Sequence, residues 1–307
     1  MTKQGWMVVG IACMVIALSG ASRVCAGEQG RPTVEQAYPV LASGILKKAV
    51  LVEMDPGILL TSEGVEIKAS RITEAVETAD PRVKEELEKN RFFLLEQETV
   101  KAILVQETAS AGEVQEGLSE TEAIQAYLGR KFSDIQVSDE EAKTFYEANK
   151  AMMGEMSFQQ VKDAVKEVLA RQKRQEAVAS YLQGLGGNRE IRVNRDWVEA
   201  QHALETDNPV DRARRSGKPT MVEFGAEGCV PCDMMQPILD RLRKKYPEEL
   251  NVVFIHVGES RVLGARFGIQ SIPVQVFYDE NGNEVFRHVG FYAEPEVLKQ
   301  LAKLGVE

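Results

Sequence analysis

The chain is short of the residues that build metal centres and structural cross-links. It holds four cysteines and three histidines in 307 residues. Cys13 and Cys25 fall in an N-terminal stretch that reads as a leader, so a mature chain keeps only Cys229 and Cys232. No thiol is then left for a structural bridge, and a four-ligand zinc site would need two more ligands nearby. His202, His256 and His288 are scattered without ligand spacing, so no metal is expected. Met153, Met156, Met234 and Met235 are dispersed and read as core fillers rather than a soft-metal set. The apolar run from Trp6 to Leu18 is too short to span a bilayer comfortably. Positive charge is in deficit as well: 37 Lys and Arg against 47 Asp and Glu leave a net charge of −10. That balance argues against nucleic acid and an anionic membrane surface as partners.

The first 26 residues have the layout of a secretory signal: Lys3, the apolar run, then Val24-Cys25-Ala26 as a small-residue cleavage pattern. An uncleaved anchor is the alternative. Arg23-Val24 stand where small residues would precede a lipidated cysteine, which argues against lipidation at Cys25. The protein is therefore expected in an oxidising compartment, most simply a bacterial periplasm.

Residues 27–190 read as a mainly α-helical domain. Short β-like pieces are expected at Ala49–Glu53 and at Ile58–Thr61, before a turn at Ser62-Glu63-Gly64. A helix is expected from Ser70 to Ala79, and one long amphipathic helix from Pro81 to about Thr108. Another spans Ser119 to Phe132. Ser138-Asp139-Glu140-Glu141 is a capping box opening a helix to about Met152. Ser157-Phe158-Gln159-Gln160 opens a longer helix that should stop at Gly184 and Gly186-Gly187. Residues 191–218 read as linker and lead-in, with a short strand at Ile191–Val193 and helices at Asp196–Leu204 and Pro209–Ala213. Trp197 is expected to pack against the fold.

The segment from Met221 to Leu239 concentrates the chemistry. It reads as a buried strand, a short turn and a helix, with Cys229-Val230-Pro231-Cys232 at the helix start. A helix N-terminus carries partial positive charge and free N–H groups, which stabilise a thiolate. A thiol three residues on lies one turn away, close enough to close a small disulfide. A CxxC in a strand–turn–helix setting points to thiol–disulfide chemistry.

This stretch resembles the thioredoxin family, and the likeness continues to the C-terminus over residues 219–307. Ile272-Pro273, after Gly268-Ile269-Gln270-Ser271, is similar to the family's cis-proline loop. Val274–Tyr278 then reads as a strand, Asp279-Glu280-Asn281-Gly282-Asn283 as a hairpin turn, and Glu284–His288 as the returning strand. The resemblance implies an α/β thioredoxin fold with Cys229 as nucleophile and Cys232 as the resolving thiol. It implies that Glu223 is the buried acid that exchanges a proton with Cys232, and that Ile272 and Pro273 present backbone to the substrate. Two positions depart from the family. Gly228 replaces the tryptophan that usually precedes the motif, opening the surface beside Cys229. Phe254 stands where a lysine often accompanies the acid, so the Glu223 pKa should sit higher.

Glu223, Glu227 and Asp233 surround the pair with acidic charge and no nearby cation, which favours a weak oxidant. The Val-Pro dipeptide resembles that of reducing periplasmic proteins of the TlpA and cytochrome c maturation kind. Together these imply a reductase of protein disulfides, without a bound cofactor, re-reduced by a membrane electron donor of the DsbD or CcdA kind. Disulfide oxidase or isomerase is the alternative. The order of segments in residues 27–190 resembles the N-terminal domain of SurA-type periplasmic chaperones without their parvulin domain. That likeness offers a further alternative, a chaperone whose helices hold unfolded clients.

Overall fold

Two four-stranded sheets organise the computed structural model, which describes residues 30–42, 44–112 and 117–307. The leader reading of residues 1–26 lies outside these. Residues Pro32–Glu307 form one compact unit.

The first sheet comprises β1 (Val50–Val52), β2 (Ile58–Ser62), β3 (Val65–Lys68) and β4 (Arg192–Asn194), in the order β1-β4-β2-β3. In β3 the period of two is plain: Val65 and Ile67 are buried while Glu66 and Lys68 face solvent. Leu51, Leu60, Ile67 and Val193 join Phe92 and Ile103 in one core, and Trp197 packs on its edge. Helices dominate the rest of this region: Ala69–Glu77, Pro81–Lys89, Arg91–Ser110, Glu120–Lys131, Asp139–Ala148 and Phe158–Asn188. Ser119, Ser138 and Ser157 each close a capping box with the Glu or Gln three residues on.

Four local expectations give way to tertiary contacts. The helix expected over Pro81–Thr108 is two helices, broken at Asn90 with φ −121° and ψ 46°. The second starts there because the Glu205 carboxylate accepts from the N–H groups of Phe92 and Phe93, at 3.0 and 3.2 Å. The helix expected to reach Met152 ends at Ala148, and a separate turn covers Lys150–Met153. The long helix runs through its glycines to Asn188, because Gly186 lies so close to Ile45 that a Cβ there would collide with its backbone. Arg192–Asn194, placed by sequence in the join, is an interior strand of the first sheet, and β3 was not expected at all.

The second sheet comprises β5 (Thr220–Gly225), β6 (Asn251–His256), β7 (Val274–Tyr278) and β8 (Glu284–Val289), in the order β6-β5-β7-β8. β5 runs parallel to β6 and antiparallel to β7, and β8 closes antiparallel on β7. All six residues of β5 are buried, as a strand covered on both faces requires. Met221 packs towards the helices Val230–Lys245 and Glu294–Ala302. Val222 and Phe224 pack on the other face with Val210 and Leu263. Each of these burials stabilises the strand by roughly 2 kcal/mol.

Buried polar groups tie the helical region to this second layer. The Arg266 side chain, only 4% exposed, pairs with Glu205 at 3.2 Å and Asp211 at 2.6 Å. Burial pushes the Glu205 carboxyl up to about 7, against the pull of Arg266. Glu86 caps the Arg261–Arg266 helix by accepting from the N–H groups of Arg261 and Val262, at 3.3 and 2.9 Å.

Candidate active site

The site helix, Val230–Lys245, begins with Cys229 in the cap position and Pro231 in its first turn. Proline is tolerated there because the first helical N–H groups have no intrahelical partner. The Asp233 N–H donates to the Cys229 carbonyl at 2.9 Å, closing the turn between the two thiols. Cys229 and Cys232 are joined in a disulfide with their Cα atoms 5.2 Å apart. Their exposure differs: Cys232 is buried at 1% and Cys229 is only half-buried. A sulfur that can be reached attacks or is attacked first, so this asymmetry suits Cys229 as the outer thiol.

Gly228, just before the pair, has φ +73°, a conformation that tryptophan adopts only with strain. The turn therefore demands the glycine that departs from the family pattern. The loop is held from below by His256 at the end of β6. Its Nε2 accepts the Glu227 N–H at 3.3 Å, which places the ring proton on Nδ1.

Glu223 lies in β5 two residues before Gly225, so its side chain shares a face with Met221 and Gly225. That is the face of the site helix. A Cβ on Gly225 would come within 3.5 Å of the Cys232 sulfur and 3.0 Å of the Phe254 ring. Glu223 is fully buried below this point. Phe254 is its register partner on β6 and Gln275 its partner on β7. The Gln275 side-chain N–H donates to Glu223 Oε2 at 2.9 Å. Among the described residues, Glu223 Oε1 and Gln275 Oε1 have no hydrogen-bond partner. Burial pushes Glu223 up to about 8, and the Gln275 hydrogen bond opposes this weakly. Phe254 supplies no charge to counter the rise.

The Ile272–Pro273 peptide bond is cis. Val274 pairs with Phe224, so one more step of the register sets Pro273 opposite Gly225, beside the Cys232 sulfur. The Pro273 carbonyl accepts from the Gly290 N–H at 2.8 Å, and Ile272 is half-buried. Cys229, Cys232, Glu223, Gly228 and the Ile272–Pro273 loop thus gather at one end of the second sheet.

The family model for a thioredoxin-like domain matches residues 206–305. The chain is 31% identical over 97 residues to thioredoxin of Alicyclobacillus acidocaldarius, covering 32% of this chain and 91% of that protein. The chain belongs to the thioredoxin family. It is also 32% identical over 95 residues to the thiol:disulfide interchange protein TxlA homolog of Synechocystis, covering 30% of this chain and 51% of that relative, about half its length. Oxidised mitochondrial thioredoxin 3 of Saccharomyces cerevisiae is 25% identical, with 30% of this chain and 85% of that chain covered at a TM-score of 0.28. By the family model and the sheet order β6-β5-β7-β8, the C-terminal region is a thioredoxin fold following a mostly helical region, as the sequence implied, and the molecule is a thioredoxin-like redox protein.

Sequence reasoning missed two members of this thioredoxin-like site. Gln275 is the single polar residue in the apolar strand Val274–Tyr278, and that isolation was a usable signal. His256 had no signal, because only the strand register brings it under the Glu227 loop. Among the described residues no cluster of three or more His, Cys, Asp or Glu is placed to hold a metal ion. No helix among them is long and apolar enough to cross a membrane.

Proposed function

We propose that the protein is a periplasmic reductase of protein disulfides, re-reduced by a membrane electron donor of the DsbD or CcdA kind. The observation that carries this reading is a half-exposed Cys229 bonded to a buried Cys232 above a buried acid that no cation opposes. In the dithiol state the Cys229 thiolate attacks a client disulfide. A new S–S bond forms, the client S–S bond breaks, and one client sulfur leaves as thiolate. Cys232 then gives its proton to Glu223 in its ionised form and attacks the Cys229 sulfur. The second client sulfur leaves, two electrons have passed to the client, and the pair ends as the disulfide. Re-reduction reverses the exchange with a donor dithiol, and a neutral Glu223 protonates the leaving Cys232 sulfur.

The reducing direction is supported by the surroundings of the pair. Glu227 and Asp233 face solvent beside it, and Glu223 below is held by an amide and an aromatic ring rather than a cation. Such surroundings disfavour thiolate, and a pair whose thiolate is less stabilised is a weaker oxidant. Equilibration of the purified protein with glutathione and dithiothreitol tests this. The expected reduction potential lies near the thioredoxin value of about −270 mV. A value near the about −120 mV of a strong periplasmic oxidant would make the protein an oxidase. Cell fractionation with antibody detection tests the compartment, and cytoplasmic recovery would refute it.

A further inference from the structure

The long helix Phe158–Asn188 comes back to the active-site end of the second sheet. Arg171, Arg174, Val178 and Leu182 follow one another at spacings of three and four, so they share one stripe of the helix. Across an open groove of about 370 Å³ that stripe faces Gln270. Gln270 stands three residues before Pro273 in the loop beside the disulfide, which keeps it within about 10 Å of that proline. One wall of the groove therefore belongs to the loop that carries Pro273.

Its chemistry is uneven. Val178 and Leu182 are half-buried and line it with aliphatic carbon. Arg174 forms no ion pair with any described residue, and Arg171 has only a loose one, 3.8 Å from the exposed Glu167. Two under-used guanidinium groups sit side by side in a chain of net charge −10. Next to Cys229 the surface changes character: Glu227 and Asp233 are exposed acids, and Val230 is 70% exposed. A chain segment crossing the site thus meets acid at the thiol and base in the groove.

We propose that this groove holds the stretch of client chain adjoining the attacked disulfide, and that it selects stretches carrying a carboxylate next to an aliphatic side chain. The inference rests on the disulfide-exchange reading above and adds the substrate class to it. A guanidinium fork donates two parallel N–H groups to a carboxylate, and Lys would not serve equally. The aliphatic side chain loses water against Val178 and Leu182. Like charge keeps the carboxylate away from Glu227 and Asp233, so the segment has a preferred direction across the site.

The test compares two peptide disulfides that differ only a few residues from the cysteine, one with Glu-Leu and one with Lys-Ser. Rates of reduction are measured for the full chain and for Arg171→Glu/Arg174→Glu, each normalised to that protein's own rate on 5,5′-dithiobis(2-nitrobenzoic acid). The wild-type protein should favour the acidic peptide by about tenfold, the scale of one well-placed charge contact, and added salt should shrink the preference. The double variant should lose or reverse it. Because the salt dependence needs only the wild-type chain, the proposal can fail even if the variant folds poorly. A salt-insensitive or absent preference, with the aromatic disulfide still reduced, overturns the groove and leaves disulfide exchange standing. Failure of the wild-type protein on every disulfide overturns both. A wild-type dimer that the double variant dissolves, with peptide preference unchanged, would assign the groove to a second copy and overturn the proposal.

Discussion

Replacing Glu223 by Gln should make the oxidised protein more stable at neutral pH and slower in exchange. The carboxyl is fully buried, and burial lifts it from 4.5 to about 8. Between those values the folded protein holds the proton while the unfolded chain has lost it. The contribution of Glu223 is therefore fully present below pH 4.5, falls as pH rises, and is gone above about pH 8. Each pH unit in the window costs about 1.4 kcal/mol, so at pH 7 the wild-type protein has lost about 3 kcal/mol through this residue. Gln does not titrate, and its N–H can donate to Gln275 Oε1, an acceptor without a partner among the described residues. Urea unfolding of both oxidised proteins from pH 5 to pH 9 measures the difference. Glu205 also titrates near neutrality, so the quantity to read is mutant minus wild type, which cancels it. The gap should widen steadily from pH 5 to pH 8 and then level. Parallel stability curves would show that Glu223 is not held neutral in the fold. In the same mutant the reduction of a protein disulfide should slow by roughly ten- to a hundred-fold, the scale of one positioned general base. Wild-type rates would leave water as the proton acceptor.

Three further outcomes follow from the geometry. Cys232→Ser should trap a mixed disulfide through Cys229 while Cys229→Ser traps little, seen as reductant-sensitive adducts on gels; the reverse pattern would exchange the roles of the two thiols. The chain lacking residues 1–26 should take up two alkylating groups after reduction and none before, read by mass, and any other number contradicts the cysteine assignment. Arg266→Met should cost about 3–5 kcal/mol in urea unfolding, because it leaves the buried Glu205 carboxylate without its cation and Asp211 with Arg214 alone. A loss under about 1 kcal/mol would mean that these carboxylates are already neutral or rehydrated.

Features set by near neighbours in the chain are legible in the residues alone. Cys229 and Cys232 sit one helical turn apart whatever else surrounds them, and the capping boxes at Ser119, Ser138 and Ser157 satisfy helix ends with residues three positions away. Gly228 is read correctly as a departure, though its reason, a positive φ, is visible only in the backbone. The family resemblance sets Phe254 beside Glu223, and the β5–β6 register pairs the two. The remaining features depend on partners far along the chain. The helix break at Asn90 is set by a carboxylate more than a hundred residues away. The long helix overruns its glycines because Gly186 meets Ile45, and Arg192–Asn194 becomes a strand because β1 and β2 offer it unpaired backbone. Gln275 meets Glu223, and Gln270 comes to line one groove with Arg174, for the same reason. A local pattern states what a segment can form, but the burial and the polar partners that choose among those forms arrive from distant residues only when the chain has folded.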